Sequence, residues 1–188
     1  DKVRSIFEDS NQNIWIGTEG GGLNFLHKEK NDKNFNEFKH ITTLSKIFAL
    51  EEIQLKNSKK LLLGGEGTPG LYELNLSNNK TPTNNDVKPI REFPSGVFAL
   101  LQDKDRNVWV GTYSGGVSRW LVNEDETRFE KNMLSHNPNI ETSITGDIIR
   151  DIFQDSNGNI WFATGSGLSK LTPDQIYSKV PKFDNYKN

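Results

Sequence analysis

The chain has 188 residues, of which 33% are hydrophobic and 26% charged, and its formal net charge is −2. That mix excludes wholesale disorder and a broad phosphate-neutralising surface, so no nucleic acid is expected as a partner. The absence of Cys excludes disulfides, thiolate metal sites and a thiol nucleophile, and no apolar run approaches the ~18 residues that span a bilayer.

In chain order, the opening residues DKVRSIFED lack the apolar core of an export signal, so any such signal is expected to lie outside this chain. VRSIFE (3–8) is a short apolar-rich run, and a polar turn, SNQN, follows it. IWIGT (14–18) is β-branched and aromatic. After the Gly-rich turn at 19–22 come LNFL (23–26) and the alternating NFNEFKH (34–40). Short runs bounded by Asn, Asp, Ser and Gly clusters read as antiparallel strands. No segment holds a 3.6-residue period, so helix content is expected to be very low.

The pattern then recurs. VRSIFEDSNQNIWIGT (3–18), VFALLQDKDRNVWVGT (97–112) and IRDIFQDSNGNIWFAT (149–164) align without gaps. Trp15, Trp109 and Trp161 share one column, spaced by 94 and 52 residues. A fourth, decayed copy fits midway through the first gap: KKLLLGGEGTPGLYEL (59–74), with Leu62 in the Trp column and neither the Asp nor the Trp of the others. Four repeats of about 47 residues, each with four strands, have the period of a propeller blade. The expected fold is all-β: a β-propeller region over 1–188, with blades at about 1–43, 44–94, 95–143 and 144–188. The indoles are expected to wedge between successive sheets, and Gly17, Gly111 and Ala163 to be small because the next sheet comes close. Trp120 shares a column with Leu26 and Leu171 and is expected in the core. NEFKH and FDNYKN read as equivalent outer strands.

These columns resemble the two-component regulator propeller repeat: Val3-Arg4, Ile6, Asp9, Ile14-Trp15-Ile16-Gly17-Thr18 and Gly22-Leu23, then Asp103, Val108 to Thr112 and Gly116-Val117, then Ile149-Arg150, Ile152, Asp155, Gly158, Ile160-Trp161 and Gly167-Leu168. The resemblance implies the periplasmic sensor region of a hybrid two-component system of Bacteroidetes. It implies an oligosaccharide ligand, a homodimeric parent receptor, and a kinase, a membrane span and transcriptional output all outside this chain. It also implies that the four blades are a fragment of a seven-bladed propeller. A closed four-bladed ring is the alternative. The other functional readings are a carbohydrate-active propeller enzyme, a lyase or glycosidase, and a scaffold for protein association.

The turns at Asp9, Asp103 and Asp155 begin like a calcium loop, with oxygen side chains at positions 1, 3 and 5. Position 6 is Ile14, Val108 or Ile160 rather than Gly, and position 12 carries no Glu. They read instead as side-chain-closed hairpin turns, and no metal is expected. Gly65-Glu-Gly67-Thr-Pro-Gly70 fits a phosphate-loop spacing but precedes the strand-like LYEL, so it reads as a blade turn and no cofactor is expected. Asn75-Leu-Ser77 is a glycosylation sequon. His27, His40 and His136 fall at unrelated blade positions and form no catalytic or metal spacing, so no catalytic residue is assigned. Ser77 to Lys88 reads as a mobile polar loop.

One face collects the Gly-rich turns and the connections between blades. Glu19, Glu66, Tyr113 and Ser166 belong to it, with the stretches around His40 to Lys46, Pro94 to Gly96 and His136 to Asp147. Arg4, Phe98 and Arg150 share a column near the start of the innermost strand. The candidate ligand-binding residues are therefore Arg4, Glu19, Glu66, Phe98, Tyr113 and Arg150: guanidinium for carboxylate or hydroxyl groups, rings for stacking on sugar. Glu19 and Glu66 are the acidic pair that a glycosidase reading would use.

Overall fold

A computed structural model describes residues 1–26, 38–42, 44–76, 81–93 and 95–187. His27, part of the outer-strand segment at 34–40, Ser77 to Lys80 and Pro94 lie outside the described residues. The described chain forms four antiparallel sheets of four strands, each a simple meander. The first holds β1 (Lys2–Glu8), β2 (Ile14–Glu19), β3 (Leu23–Leu26) and β4 (Lys39–Ile41). The second holds β5 (Ile47–Leu55), β6 (Ser58–Gly65), β7 (Leu71–Asn75) and β8 (Val87–Ile90). In the third are β9 (Val97–Gln102), β10 (Val108–Thr112), β11 (Val117–Val122) and β12 (Phe129–Leu134). The fourth has β13 (Ile149–Gln154), β14 (Ile160–Thr164), β15 (Gly167–Leu171) and β16 (Asp184–Tyr186). Helical structure among the described residues is confined to two 3₁₀ turns, Asn84–Asp86 and Pro173–Gln175.

The chain divides into two compact units, Asp1–Gly96 and Val97–Asn188, each built from two consecutive sheets. In the first, Trp15, Leu23 and Phe25 of one sheet pack with Ile47, Leu50, Leu61 and Leu63 of the next. In the second, Ala99, Trp109 and Val117 pack with Ile149, Ile152, Ile160 and Phe162. Alternation along β14 shows the logic of the pleat: Ile160 and Phe162 are buried, whereas the alternate residues Trp161 and Ala163 are half-buried on the other face.

Trp15 and Trp109 fill the seams between sheets. Trp15 stacks on Phe25 at 4.9 Å, and Trp109 meets Phe162 of the neighbouring sheet edge-on at 5.5 Å. Trp161 departs from the expected wedge. Its sheet uses the opposite face to receive Trp109, so within its unit no sheet covers it, and it lies half-buried beside Tyr186 and Lys170. Trp120 is buried, as its column suggested.

The small residue after each indole has a steric cause. A Cβ on Gly111 would lie 2.6 Å from Cγ2 of Ile149, and one on Gly17 would lie 2.7 Å from Cγ2 of Ile47. Ile47 and Ile149 are the first residues of the next sheet's innermost strand, so glycine sets how near that strand comes. A residue further along the same strand ties the seam at its other end. Glu52 accepts bonds from the Ser10 N–H and hydroxyl, both at 2.7 Å, and Gln154 accepts from the Lys104 N–H at 2.8 Å.

Candidate ligand-facing site

The repeated Asp is a structural hub. Asp9 Oδ1 accepts the N–H groups of Asn11 and Asn13 at 2.9 Å, closing the turn, while Oδ2 accepts Asn13 Nδ2 and Trp15 Nε1 at 2.8 Å. Asp103 and Asp155 repeat the set with Asn107 and Trp109 and with Asn159 and Trp161. Both carboxylate oxygens are thus taken up by the chain's own N–H groups. Among the described residues, no group of three or more acidic or His side chains is placed to hold a metal. Burial pushes the Asp103 carboxyl above its ordinary pKa, against the pull of the Trp109 and Asn107 bonds. Asp155 is half-buried, and its bonds from Asn159 and Trp161 prevail over burial, lowering it to about 2. The second sheet explains why Asp and Trp vanish together. Leu55 pairs directly with Ser58, so a two-residue turn replaces the five-residue one, and there is no loop to hold the carboxylate.

At the other end of each innermost strand the register slips by one residue. The irregularity falls between Val3 and Ser5, Ile47 and Ala49, Val97 and Ala99, and Ile149 and Asp151. The residues spanned are Arg4, Phe48, Phe98 and Arg150. A bulge bends the strand and re-aims one side chain, so the column of Arg4, Phe98 and Arg150 consists of bulge residues. Phe48 is its fourth member. The match between IFAL (47–50) and VFAL (97–100) is the signal that could have found it.

In the first unit the candidates neutralise one another. Arg4 donates from Nε to Glu19 Oε2 at 2.9 Å and pairs with it again through Nη2. Lys46, which the sequence reading did not single out, pairs with Glu66. Backbone bonds set the two pairs side by side: Gly20 N–H donates to Ser45 C=O at 2.6 Å, and Glu19 bridges Lys46. The Arg4 bond holds the Glu19 carboxyl below the ordinary glutamate value, and the Glu66 bond holds the Lys46 ammonium above its own.

In the second unit the candidates are of a different kind. Phe98 meets Tyr113 edge-on at 5.5 Å, and the Arg150 guanidinium lies 5.7 Å from the Phe98 ring centre. Tyr113 is 51% exposed and Arg150 is exposed. No ion pair of Arg150 is found among the described residues. Of the nearby connections, His136 is engaged by its own loop: its N–H donates to Asp147 Oδ1 and Nδ1 meets the Ile144 carbonyl, both at 2.7 Å. The Ser166 N–H donates to Thr164 Oγ1 at 3.0 Å, and in the first unit His40 contacts Asn24.

The model of the two-component regulator propeller family matches residues 1–20, 92–114 and 143–166, the segments that hold Trp15, Trp109 and Trp161. These three segments are similar to the two-component regulator propeller repeat. Histidine kinase P4 of Formosa agariphila is 27% identical over 184 residues, covering 95% of this chain and 13% of that protein. The propeller repeats here thus span 13% of that curated relative's length. Among solved structures, the extracellular domain of a hybrid two-component system from B. thetaiotaomicron superimposes with a TM-score of 0.65 at 23% identity, over 89% of this chain and 21% of that one. An ancestral GH74 enzyme superimposes with a TM-score of 0.60 at 13% identity, over 90% of this chain and 22% of that one. These two likenesses concern the fold: the four sheets are blades of a β-propeller. The segment with Leu62 lies outside the matched residues, consistent with its shortened turn.

Proposed function

We propose that these blades belong to the extracytoplasmic, ligand-sensing propeller of a hybrid two-component sensor of the periplasm. Its ligand is a polysaccharide-derived oligosaccharide, and its output passes to a kinase outside this chain that controls transcription. The observation that carries the reading is likeness to a histidine kinase over 95% of the chain together with three family repeats. The blades are part of a seven-bladed ring, and the parent receptor is a homodimer. A ligand signals only by binding one arrangement of that dimer, or of the propeller against the domain after it, more tightly than the other. Binding without turnover is the chain's own role. In support, Glu19 and Glu66, the carboxylates a glycosidase would need, are both paired to cations, and Glu19 is held ionised where a general acid must keep its proton.

Calorimetric titration of the complete propeller with a panel of glycan oligosaccharides tests this. Micromolar to millimolar binding of at least one glycan, with no product formed, is the expected result. Absence of binding to any of them, while the regulated genes still respond to glycan, overturns direct sensing.

A further inference from the structure

Two clusters share the bulge column, and their charge balance differs. In the first unit each cation already holds a carboxylate: Arg4 with Glu19 and Lys46 with Glu66. In the second, the exposed Arg150 guanidinium is held over Phe98, and Phe98 abuts the half-exposed ring of Tyr113. Contact with a ring face orients a guanidinium but leaves its N–H donors unsatisfied, and these form a planar fork that fits a carboxylate or sulfate in bidentate fashion. An exposed phenol ring against the same Phe98 offers a flat apolar surface to the C–H face of a pyranose. The bulge between Ile149 and Asp151 gives Arg150 its direction, and the bulge between Val97 and Ala99 does the same for Phe98. The components therefore come from two adjacent blades of one unit.

We propose that Phe98, Tyr113 and Arg150 form a subsite for an anionic sugar, a pyranose bearing a carboxylate or a sulfate ester. The proposal rests on the sensor reading and narrows its ligand class. Arg150 takes the anionic group, Tyr113 takes the ring face, and Phe98 fixes Arg150. On the first unit Arg4 is already paired with Glu19 and does not contribute.

The test is calorimetry on the 188-residue chain with three probes of equal length: trigalacturonate, a sulfated galactan trisaccharide and neutral galactotriose. One or both anionic probes should bind at least tenfold more tightly than galactotriose, and the two anionic arms separate carboxylate from sulfate recognition. Arg150→Gln should reduce anionic binding to the neutral level, Tyr113→Ala should weaken all three, and Arg4→Gln should change nothing. Rising salt should weaken the anionic probes alone. Equal affinity for charged and neutral probes, or a charge preference that survives Arg150→Gln, overturns the anionic subsite and leaves the sensor reading standing. Failure of all three probes to bind overturns the subsite, and failure of every glycan in the wider panel above, while the regulated genes still respond, overturns both.

Discussion

The indole N–H of Trp109 donates to the carboxylate of Asp103 across 2.9 Å, from a position six residues further along the chain. The bond joins the middle of a strand to the turn that precedes it. The same ring packs against Phe162 of the next sheet. One side chain therefore closes its own hairpin and fills the seam, and a change at either residue is felt in both places. Trp109→Phe keeps most of the packing but leaves the Asp103 oxygen one donor short. A loss of about 1–3 kcal/mol is expected in urea unfolding, against about 3–5 kcal/mol for Trp109→Ala. A double-mutant cycle with Asp103→Asn should show strong coupling, because the two residues share one bond.

Asp155 makes the same bonds in a less buried place, and its pKa lies at about 2 against an ordinary 3.8. A depressed carboxyl stabilises the fold above its unfolded value and ceases to do so as pH falls through its folded one. Acid loss of stability between about pH 4 and pH 2 should therefore be smaller in Asp155→Asn than in the parent chain, measured by urea midpoints across that range. Asp103 works in the opposite sense. Burial raises its pKa, so the stability linked to its proton is present below the ordinary value and declines as pH rises through the raised one.

Gly111 sets the distance between sheets. A methyl group there would sit 2.6 Å from Cγ2 and 2.9 Å from Cβ of Ile149, and the Cβ cannot move without its strand. Gly111→Ala should cost about 1–3 kcal/mol by overpacking. Because Arg150 is the next residue along that strand, the same substitution should also shift the Phe98 and Tyr113 ring resonances in NMR spectra.

Leu62 stands in the tryptophan column with no carboxylate before it, since Lys56 is the residue six positions earlier. It is fully buried, and its neighbours across the sheet are Glu51 and Glu73. Restoring the repeat by Leu62→Trp should therefore destabilise, by about 1–3 kcal/mol in thermal or urea unfolding. An increase in stability would show that the indole contributes by packing alone.

Arg119 is buried with no carboxylate partner among the described residues. Its Nη1 donates to the carbonyls of Ile176 and Ser178 at 2.6 and 2.9 Å, and its Nε donates to Asn132 at 3.0 Å. It pins the connection between β15 and β16 to the neighbouring sheet. Arg119→Ala leaves those carbonyls unpaired and should cost about 2–3 kcal/mol, with faster amide exchange across 173–183.

Repeat count, strand class and the tryptophan column were legible in the sequence because each depends on local patterning. A strand alternates with period two, a turn needs Asx or Gly, and an indole recurring at nearly constant spacing marks equivalent places. The sequence also determined that Asp, Asn and Trp travel together, though not that hydrogen bonds join them. The partners of Arg4, Glu19, Glu66 and Arg150 were decided by tertiary structure alone. Which carboxylate reaches which cation depends on the shifted register of a hairpin, which brings Arg4 of β1 to Glu19 of β2, 15 residues away. Trp161 teaches the same lesson: it carries the column's residue in the column's place, yet burial is a property of what packs on a face, and that is set by the neighbouring sheet rather than by the residue itself.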